Sequence, residues 1–537
     1  MQGHASAMMA PMRSPYLHPF LAAAFPVLFL YAHNAHIVGL SHVWSTLGIA
    51  LAATAILLLV LRRLVRDAHK RSLVLTLAVV LFASYGHGVR WAPEGTHQRL
   101  GLTPEALVGI ASGLFGIALV TLILRSRVAW GSMTVVVNVV TAALVALQLG
   151  TVAYVSASAG ETRRHARASE TQVAPTTQPP DIYFIVLDGY ARADVLRALY
   201  AYDNTVFLDS LRTLGFQVLE RSRANYCQTI LSLAATLNLD YVPRLIEVDS
   251  LSRDRRPAHD LIQDNRLFAE LRRRGYSIVA FASGFGPTEL HTVDRYLRPG
   301  RGLSEFQQIV VSTTPLPLLM RLGKSQYDLH RERLDFILRE LPQSARGSQP
   351  QFVFAHLIAP HPPFVFGPRG QPISRQRSFD FGDGSHYYDL GGSRQEYLGK
   401  YRNQLIYVSQ RILATIGEIL RSADTPPVIV LQSDHGPGSR LHWWSLPMTD
   451  LEERFGVLNA VYLPGVSEPL PADLSLVNTF RVILSHSLGA DLEMLPDRSY
   501  YTVLTQPYYY FDVTRRDSLP VWPGGLDLEP VRRQSTQ

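Results

Sequence analysis

A single cysteine, Cys227, stands in the 537 residues of this chain, so no internal disulfide framework can form. Charge is scarce as well. Charged residues make up 18% of the chain against 47% hydrophobic ones, which is lean for a wholly soluble protein. Two long segments, 43–61 (VWSTLGIALAATAILLLVL) and 133–155 (MTVVVNVVTAALVALQLGTVAYV), carry no charge at all. They also lack the polar stripe that a surface helix of a soluble bundle would show. There are no internal repeats, and no biased tract beyond one short linker. The net charge of +7 is accounted for by loops and a basic domain, and makes no case for nucleic acid.

Five apolar runs fill the first part of the chain, at about 16–33, 43–61, 72–89, 106–124 and 133–155. Each is about the length a helix needs to cross ~30 Å of hydrocarbon at ~1.5 Å per residue. The first is counted as a span, with a signal segment, cleaved or uncleaved, as the alternative; it shows no convincing small-x-small cleavage site. Basic residues gather in alternate loops: Arg13 in the N-terminal arm, Arg62, Arg63, Arg66, Lys70 and Arg71 after the second run, Arg125 and Arg127 after the fourth. Lys and Arg concentrate on the cytoplasmic side of membranes. The reading is therefore a multi-pass protein of the cytoplasmic (inner) membrane, with the N-terminus inside and everything after residue 156 on the extracytoplasmic, periplasmic side. Arg163, Arg164 and Arg167 run against this trend, as large translocated domains often do. Residues 1–156 are expected to be the membrane region, 157–180 (small, polar and proline-ended) a linker, and 181–537 one exported domain.

From residue 181 onward the pattern changes. Short apolar runs at 182–187 (IYFIVL), 277–282 (SIVAFA), 352–357 (FVFAHL), 428–433 (VIVLQS) and 459–464 (NAVYLP) read as strands buried on both faces. Helical patterns lie between them. One at 265–274 stops at Gly275, and one at 395–421 sets Tyr401, Leu405, Val408, Ile412, Ile416 and Ile419 on one face. Such alternation predicts an α/β domain, a mostly parallel central sheet flanked by helices. In such sheets ligands bind beyond the carboxyl ends of the strands. There stand Asp188-Gly189-Tyr190 after the first strand, Pro360-His361-Pro362-Pro363-Phe364 after the third, and Asp434-His435-Gly436 after the fourth. Asp188, Asp434 and His435 offer oxygen and nitrogen donors suited to a divalent ion such as Zn2+ or Mn2+. Each motif alone has an ordinary reading as a turn or a proline corner. Three of them on one sheet edge, with a hydroxyl at a helix start, are hard to assign to chance.

Taken in order, LDGY, NYCQTILSL, HLIAPHPPF and LQSDHG resemble the motifs of the alkaline phosphatase/sulfatase superfamily over roughly residues 180–510. The layout of spans, linker and exported domain is similar to lipoteichoic acid synthases, phosphoglycerol transferases and lipid A phosphoethanolamine transferases. The resemblance implies an alkaline phosphatase-like α/β/α sandwich. It also implies one divalent metal ion, Zn2+ or Mn2+ by preference with Mg2+ or Ca2+ as alternatives, held by Asp188, Thr229, Asp434 and His435. Thr229 falls on the family's nucleophile and His361 on the histidine that contacts the phosphoryl group. The first ligand is Glu in the lipid-linked transferases and Asp188 here, closer to phosphatases and phosphodiesterases, so transfer and hydrolysis both stay open.

Many sulfatases oxidise the Cys of a Cys-x-Pro-x-Arg signature to make their nucleophile, whereas here the stretch is Cys227-Gln228-Thr229-Ile230-Leu231. Thr and Leu replace Pro and Arg, which speaks against that route. Cys227 is expected to pack as a small hydrophobe, and Thr229 to open a helix at about 228–238, where free N–H groups favour phosphate. The function expected is a membrane-anchored, metal-dependent hydrolase or transferase acting on a phosphodiester through Thr229. A phospholipid headgroup is the candidate donor and a glycan the candidate acceptor. The alternatives are a sulfuric or phosphoric ester hydrolase, or a catalytically silent binding module. Asp383, His386, Asp389 and His442 are further polar candidates for the pocket that spacing alone does not promote to ligands.

Overall fold

A computed structural model describes residues 11–34, 40–90, 103–166, 179–290, 292–299, 305–316, 325–345, 347, 349–373 and 379–515. It divides into two units: Met1–Ser169 with Arg301–Lys324, and Glu170–Gly300 with Ser325–Gln537.

The first unit is helical: α1 Leu17–Asn34, α2 Leu40–Leu64, α3 Ala68–Arg90, α4 Pro104–Arg125 and α5 Gly131–Ala166. Among the described residues, four stretches are long and apolar enough to cross a membrane: Val43–Leu64, Ala68–Val89, Pro104–Arg125 and Gly131–Ala153. Four of the five expected spans fall on these stretches, and the expected first does not reach that length. The apolar part of α1, Leu17–Ala32, is a shorter helix, covering roughly 24 Å at ~1.5 Å per residue. Its apolar character also has a second cause, because Ala22, Ala23, Val27, Leu28 and Tyr31 are buried inside the unit. α5 continues through Ala166 into the stretch read as linker, and residues 167–178 lie outside the described ones.

The basic loops converge within this unit. Arg71 Nη2 donates to Tyr16 Oη at 3.1 Å, and Lys70 Nζ donates to the Leu124 and Ser126 carbonyls at 3.0 and 2.7 Å. Asn138 Nδ2 donates to the Met12 and Ser14 carbonyls at 2.7 and 2.8 Å. The N-terminal arm and the loops after α2 and α4 therefore meet at one end. A helix from much later in the chain, Glu305–Ser312, belongs here too. Its Phe306 packs with Val27, Tyr31 and Val43, and Gly86 N donates to Thr313 O at 2.7 Å. The sequence reading had put this segment in the exported domain.

The second unit is built on a sheet of seven strands: β1 Ile182–Leu187, β2 Gln217–Val218, β3 Ser277–Phe281, β4 Arg295–Leu297, β5 Gln351–Leu357, β6 Val428–Gln432 and β7 Asn459–Tyr462, in the order β2-β7-β6-β1-β5-β3-β4. β1 runs parallel to β5 and β6, with Ile182 opposite both Phe352 and Val428, while β7 is antiparallel. A hairpin, β8 Tyr500–Val503 with β9 Gln506–Asp512, stands apart from this sheet.

The near-continuous apolar strands follow from burial on both faces. Tyr183, Ile185 and Leu187 of β1 pack into one core with the helix Arg394–Ser422, through Tyr401, Leu405, Val408, Ile412, Ile416 and Ile419. Ile182, Phe184 and Val186 pack into the other, with the helices Thr229–Asn238 and Leu476–Leu488. Each fully buried apolar side chain contributes roughly 1.5–3 kcal/mol. The strands whose carboxyl ends carry the candidate residues lie side by side at the sheet centre, so the fold fixes those ends against one another.

Candidate active site

Chain leaving β1 turns at Gly189, whose φ of 72° is left-handed and suits glycine. The turn leaves Asp188 buried above the sheet, and His361 N donates to its carbonyl at 3.0 Å. At the end of β6, Asp434 and His435 are buried and Gly436 follows, where a Cβ would collide with the Glu453 carbonyl. The helix Thr229–Asn238 begins beside them, and Ser232 Oγ donates to the Asp434 carbonyl at 2.7 Å. Gln228 precedes that helix without making a side-chain cap, so its first turn stays open to a ligand.

The candidate side chains converge. Thr229 Oγ1 lies 3.0 Å from His435 Nε2. That nitrogen is 3.6 Å from Asp188 Oδ1 and 3.3 Å from Asp434 Oδ2. His435 Nδ1 donates to the Gly436 carbonyl at 3.0 Å, which leaves Nε2 to face the cluster with its lone pair. Among the described residues, Asp188 Oδ1 and Asp434 Oδ2 are buried without a hydrogen-bond partner, a costly state for carboxylate oxygens. The donor atoms of Asp188, His361 and His435, and separately those of Asp188, His356 and Asp434, lie within 4.8 Å of one another. Orphaned carboxylate oxygens beside a correctly oriented imidazole fit a divalent cation.

His361 adjoins this cluster, its ring centroid 5.9 Å from that of His435. Its Nε2 is 3.6 Å from Asp383 Oδ2, and Gln404 Nε2 donates to its carbonyl at 3.1 Å. Asp383 in turn is held by Tyr397 Oη at 2.7 Å and by Arg454 Nη1 at 2.7 Å. Burial pushes the Asp383 carboxyl up, but His361 and Arg454 outweigh it and hold it below its ordinary value. Burial likewise raises Asp188, and the facing His361, His356 and His435 hold it well below the carboxylate range. For His361 the balance is reversed. Burial lowers it, and Asp188 and Asp383 lift it above the usual imidazole value.

These residues open into a cavity of about 140 Å3, lined also by Gln228, Arg255, Phe285, Phe381, His386 and Trp443. Asp383 and His386 thus line it, and Asp389 and His442 do not. Cys227 is outside it. Its thiol is fully buried, takes a hydrogen bond from Thr502 N at 3.2 Å and is pushed up by burial.

Sequence reasoning missed His356 and Arg454. His356 sits within β5, its Nε2 3.2 Å from Asp188 Oδ2 and its Nδ1 2.9 Å from Thr288 Oγ1. The one signal was a histidine inside an otherwise apolar strand. Arg454, fully buried, spans Asp383, Gly436 and Cys227 through its guanidinium, and nothing local in LEERF marks it.

The family described as Sulfatase matches residues 180–456, just over half of the chain. No curated protein matches. Among solved structures, the chain resembles the integral membrane lipooligosaccharide phosphoethanolamine transferase A (EptA) of Neisseria meningitidis, at 14% identity and a TM-score of 0.38, covering 88% of this chain and 95% of that one. It resembles the C-terminal periplasmic domain of EcEptC of Escherichia coli, in complex with Zn, at 13% and 0.42, covering 66% and 98%. A third is the phosphonate monoester hydrolase of Agrobacterium radiobacter, at 15% and 0.40, covering 60% and 80%. Scores of this size carry no argument about substrate.

Proposed function

The chain belongs to the sulfatase family, an enzyme of phosphoryl transfer or of phosphate- or sulfate-ester hydrolysis, and on that premise we propose that it cleaves a phosphodiester at the outer face of the cytoplasmic membrane with Thr229 as nucleophile. The observation that carries this reading is the position of Thr229. Its hydroxyl opens the uncapped end of a helix, 3.0 Å from His435 Nε2, in a cavity it shares with Asp188 and His361.

In this reading Asp188, Thr229, Asp434 and His435 hold one divalent ion, Zn2+ or Mn2+ by donor chemistry. When bound, such an ion lowers the pKa of a hydroxyl and offsets charge gathering on phosphoryl oxygens. Thr229 Oγ1 attacks phosphorus, the P–O bond to the leaving group breaks, and the threonine's proton ends on the departing alcohol. A water or an acceptor hydroxyl then attacks the phosphothreonine, and Thr229 recovers a proton as the adduct is released. His361 donates to a phosphoryl oxygen. The upward push on it from Asp188 and Asp383 favours the protonated donor. The helix N-terminus adds amide donors and the positive end of its dipole.

For topology, the proposal has α1 crossing as a fifth span, the N-terminus cytoplasmic and the α/β unit exported. The meeting of the basic loops at one end of the helical unit supports it. A site tethered in this way suits a phospholipid donor with a glycan acceptor or water. The test is to incubate purified full-length protein with labelled phosphatidylglycerol, phosphatidylethanolamine and a chromogenic sulfate ester. The wild type should release a lipid headgroup, and Thr229→Ala should lose that activity by at least about a thousandfold. Thr229→Ser should keep part of it. Turnover of the sulfate ester alone, unaffected by Thr229→Ala, would reject the reading.

A further inference from the structure

Two arginines line the cavity, and they are in opposite states. Arg454 is answered: Asp383 Oδ2 lies 2.7 Å from its Nη1, and the Gly436 and Cys227 carbonyls take its other N–H groups. Arg255 is not. Its Nη2 donates to Gln228 Oε1 at 3.0 Å and to the Leu504 carbonyl, both neutral, and among the described residues it forms no ion pair. The neighbouring acid Asp254 is turned to Arg256, with both oxygens engaged. The titratable groups that face Arg255 are Tyr508 and Cys227, a phenol and a thiol rather than carboxylates. A partly buried guanidinium without a carboxylate has lost hydration without gaining a counter-charge.

Its position is also fixed in advance. Gln228 Nε2 donates to Thr502 Oγ1 at 2.7 Å and to the Val503 carbonyl at 3.1 Å, which turns Gln228 Oε1 toward Arg255. The carboxylates lining the cavity are Asp188, at the candidate metal cluster, and Asp383, paired with Arg454. Nothing anionic is left among the cavity's described residues to receive an ammonium group, and one cation is left over.

We propose that Arg255 is an anion subsite of this cavity, and that the substrate carries a second oxyanion, apart from the ester under attack, which this guanidinium binds. The inference rests on the reading of Thr229 as the nucleophile on a phosphodiester. The preferred substrate is then a diester whose organic group bears a phosphate, sulfate or carboxylate, turned over ahead of phosphatidylglycerol, whose headgroup is neutral, and of phosphatidylethanolamine, whose headgroup is an ammonium. The charge of the reacting phosphoryl group would be met elsewhere, by His361, the open helix end and the ion that Asp188, Thr229, Asp434 and His435 would hold. Arg255 is therefore free to read the rest of the molecule, and a planar guanidinium suits a bidentate oxyanion.

The test uses full-length, metal-loaded protein in detergent and three p-nitrophenyl phosphodiesters that differ only in the second ester group: 2-phosphoethyl, 2-hydroxyethyl and 2-aminoethyl. The expected order of kcat/KM is anionic, neutral, cationic, with the extremes at least about tenfold apart. Arg255→Ala should collapse that ratio toward one, Arg255→Lys should keep part of it, and Arg255→Glu should invert it. Retained melting temperatures for the Lys and Ala variants separate this from misfolding. A wild type that prefers the 2-aminoethyl diester, or an Arg255→Ala that keeps the ratio, overturns the subsite. Calorimetric binding of the three matching non-hydrolysable phosphonates should follow the same order. If no diester is turned over, the nucleophile reading fails, while the binding order still decides on Arg255.

Discussion

In the helical unit, Leu59, Ile117, Leu122 and Leu147 are each between 62% and 66% exposed, and α4 buries none of its residues. In the α/β unit, β1 and β5 are just as apolar, yet every one of their residues is buried. The two units meet the same demand with different solvents. One lacks a protein interior large enough for its side chains and needs hydrocarbon around it. The other closes its apolar strands between two layers of helices. Polar groups divide accordingly. Buried acids, histidines and an arginine collect at the carboxyl ends of β1, β5 and β6 and on the short helix Leu451–Phe455 that carries Arg454. Burial makes each of them expensive there unless it is paired, so their concentration in one place marks the chemistry.

The hardest blow to that concentration is loss of a candidate ligand. Asp434→Ala and His435→Ala are each expected to take the protein from about one divalent ion per chain to a small fraction of that. Activity should fall by at least about a thousandfold, read by elemental analysis beside turnover, with circular dichroism unchanged. Full metal content in both variants would remove these residues from the ligand set. Arg454→Met comes next. It leaves Asp383 buried without its cation, and the expected cost is about 3–5 kcal/mol in unfolding free energy. Adding Asp383→Asn should return part of that loss.

The contrast between solvents is sharpened by placing one charge on each unit. Leu122→Arg, on exposed α4, should cost about 2.5–3.5 kcal/mol in a membrane-insertion assay. Val206→Arg, at a position 81% exposed on the α/β unit, should change stability by less than about 0.5 kcal/mol. Equal effects would mean that α4 does not face lipid. A small effect belongs to the lone cysteine. Cys227→Ala should cost about 1 kcal/mol of packing and little activity, measured by thermal melting beside the same turnover assay.

Much of this was legible in the chain because burial on both faces writes itself into sequence. The strand runs at 182–187, 352–357 and 428–433 emerged as Ile182–Leu187, Gln351–Leu357 and Val428–Gln432, and the long helix as Arg394–Ser422. Asp188, Thr229, His361, Asp434 and His435 meet because strand ends are where a parallel sheet presents its ligands. Other features were not legible. Hydropathy does not record how much of an apolar helix is covered by its neighbours, so the burial of Ala22, Val27 and Tyr31 on α1 was not visible. His356 was hidden in the apolar context of β5, and Arg454 acquires its role from contacts with residues 71 and 227 positions away. The packing of Phe306 with Val27 and Tyr31 rests on a separation in sequence that no periodicity records.

The central claim is that Thr229 carries the transferred group, and a trapped intermediate tests it most directly. Metal-loaded wild-type protein is mixed with phosphodiester donor, quenched in acid within the first turnovers, digested and examined by mass spectrometry. The result expected is a phosphoryl-containing mass on the peptide that spans Thr229, present in the wild type and absent in Thr229→Ala. An unmodified Thr229 beside an aldehyde at Cys227 would contradict it, and would return the chain to the oxidised-cysteine chemistry that its sequence speaks against.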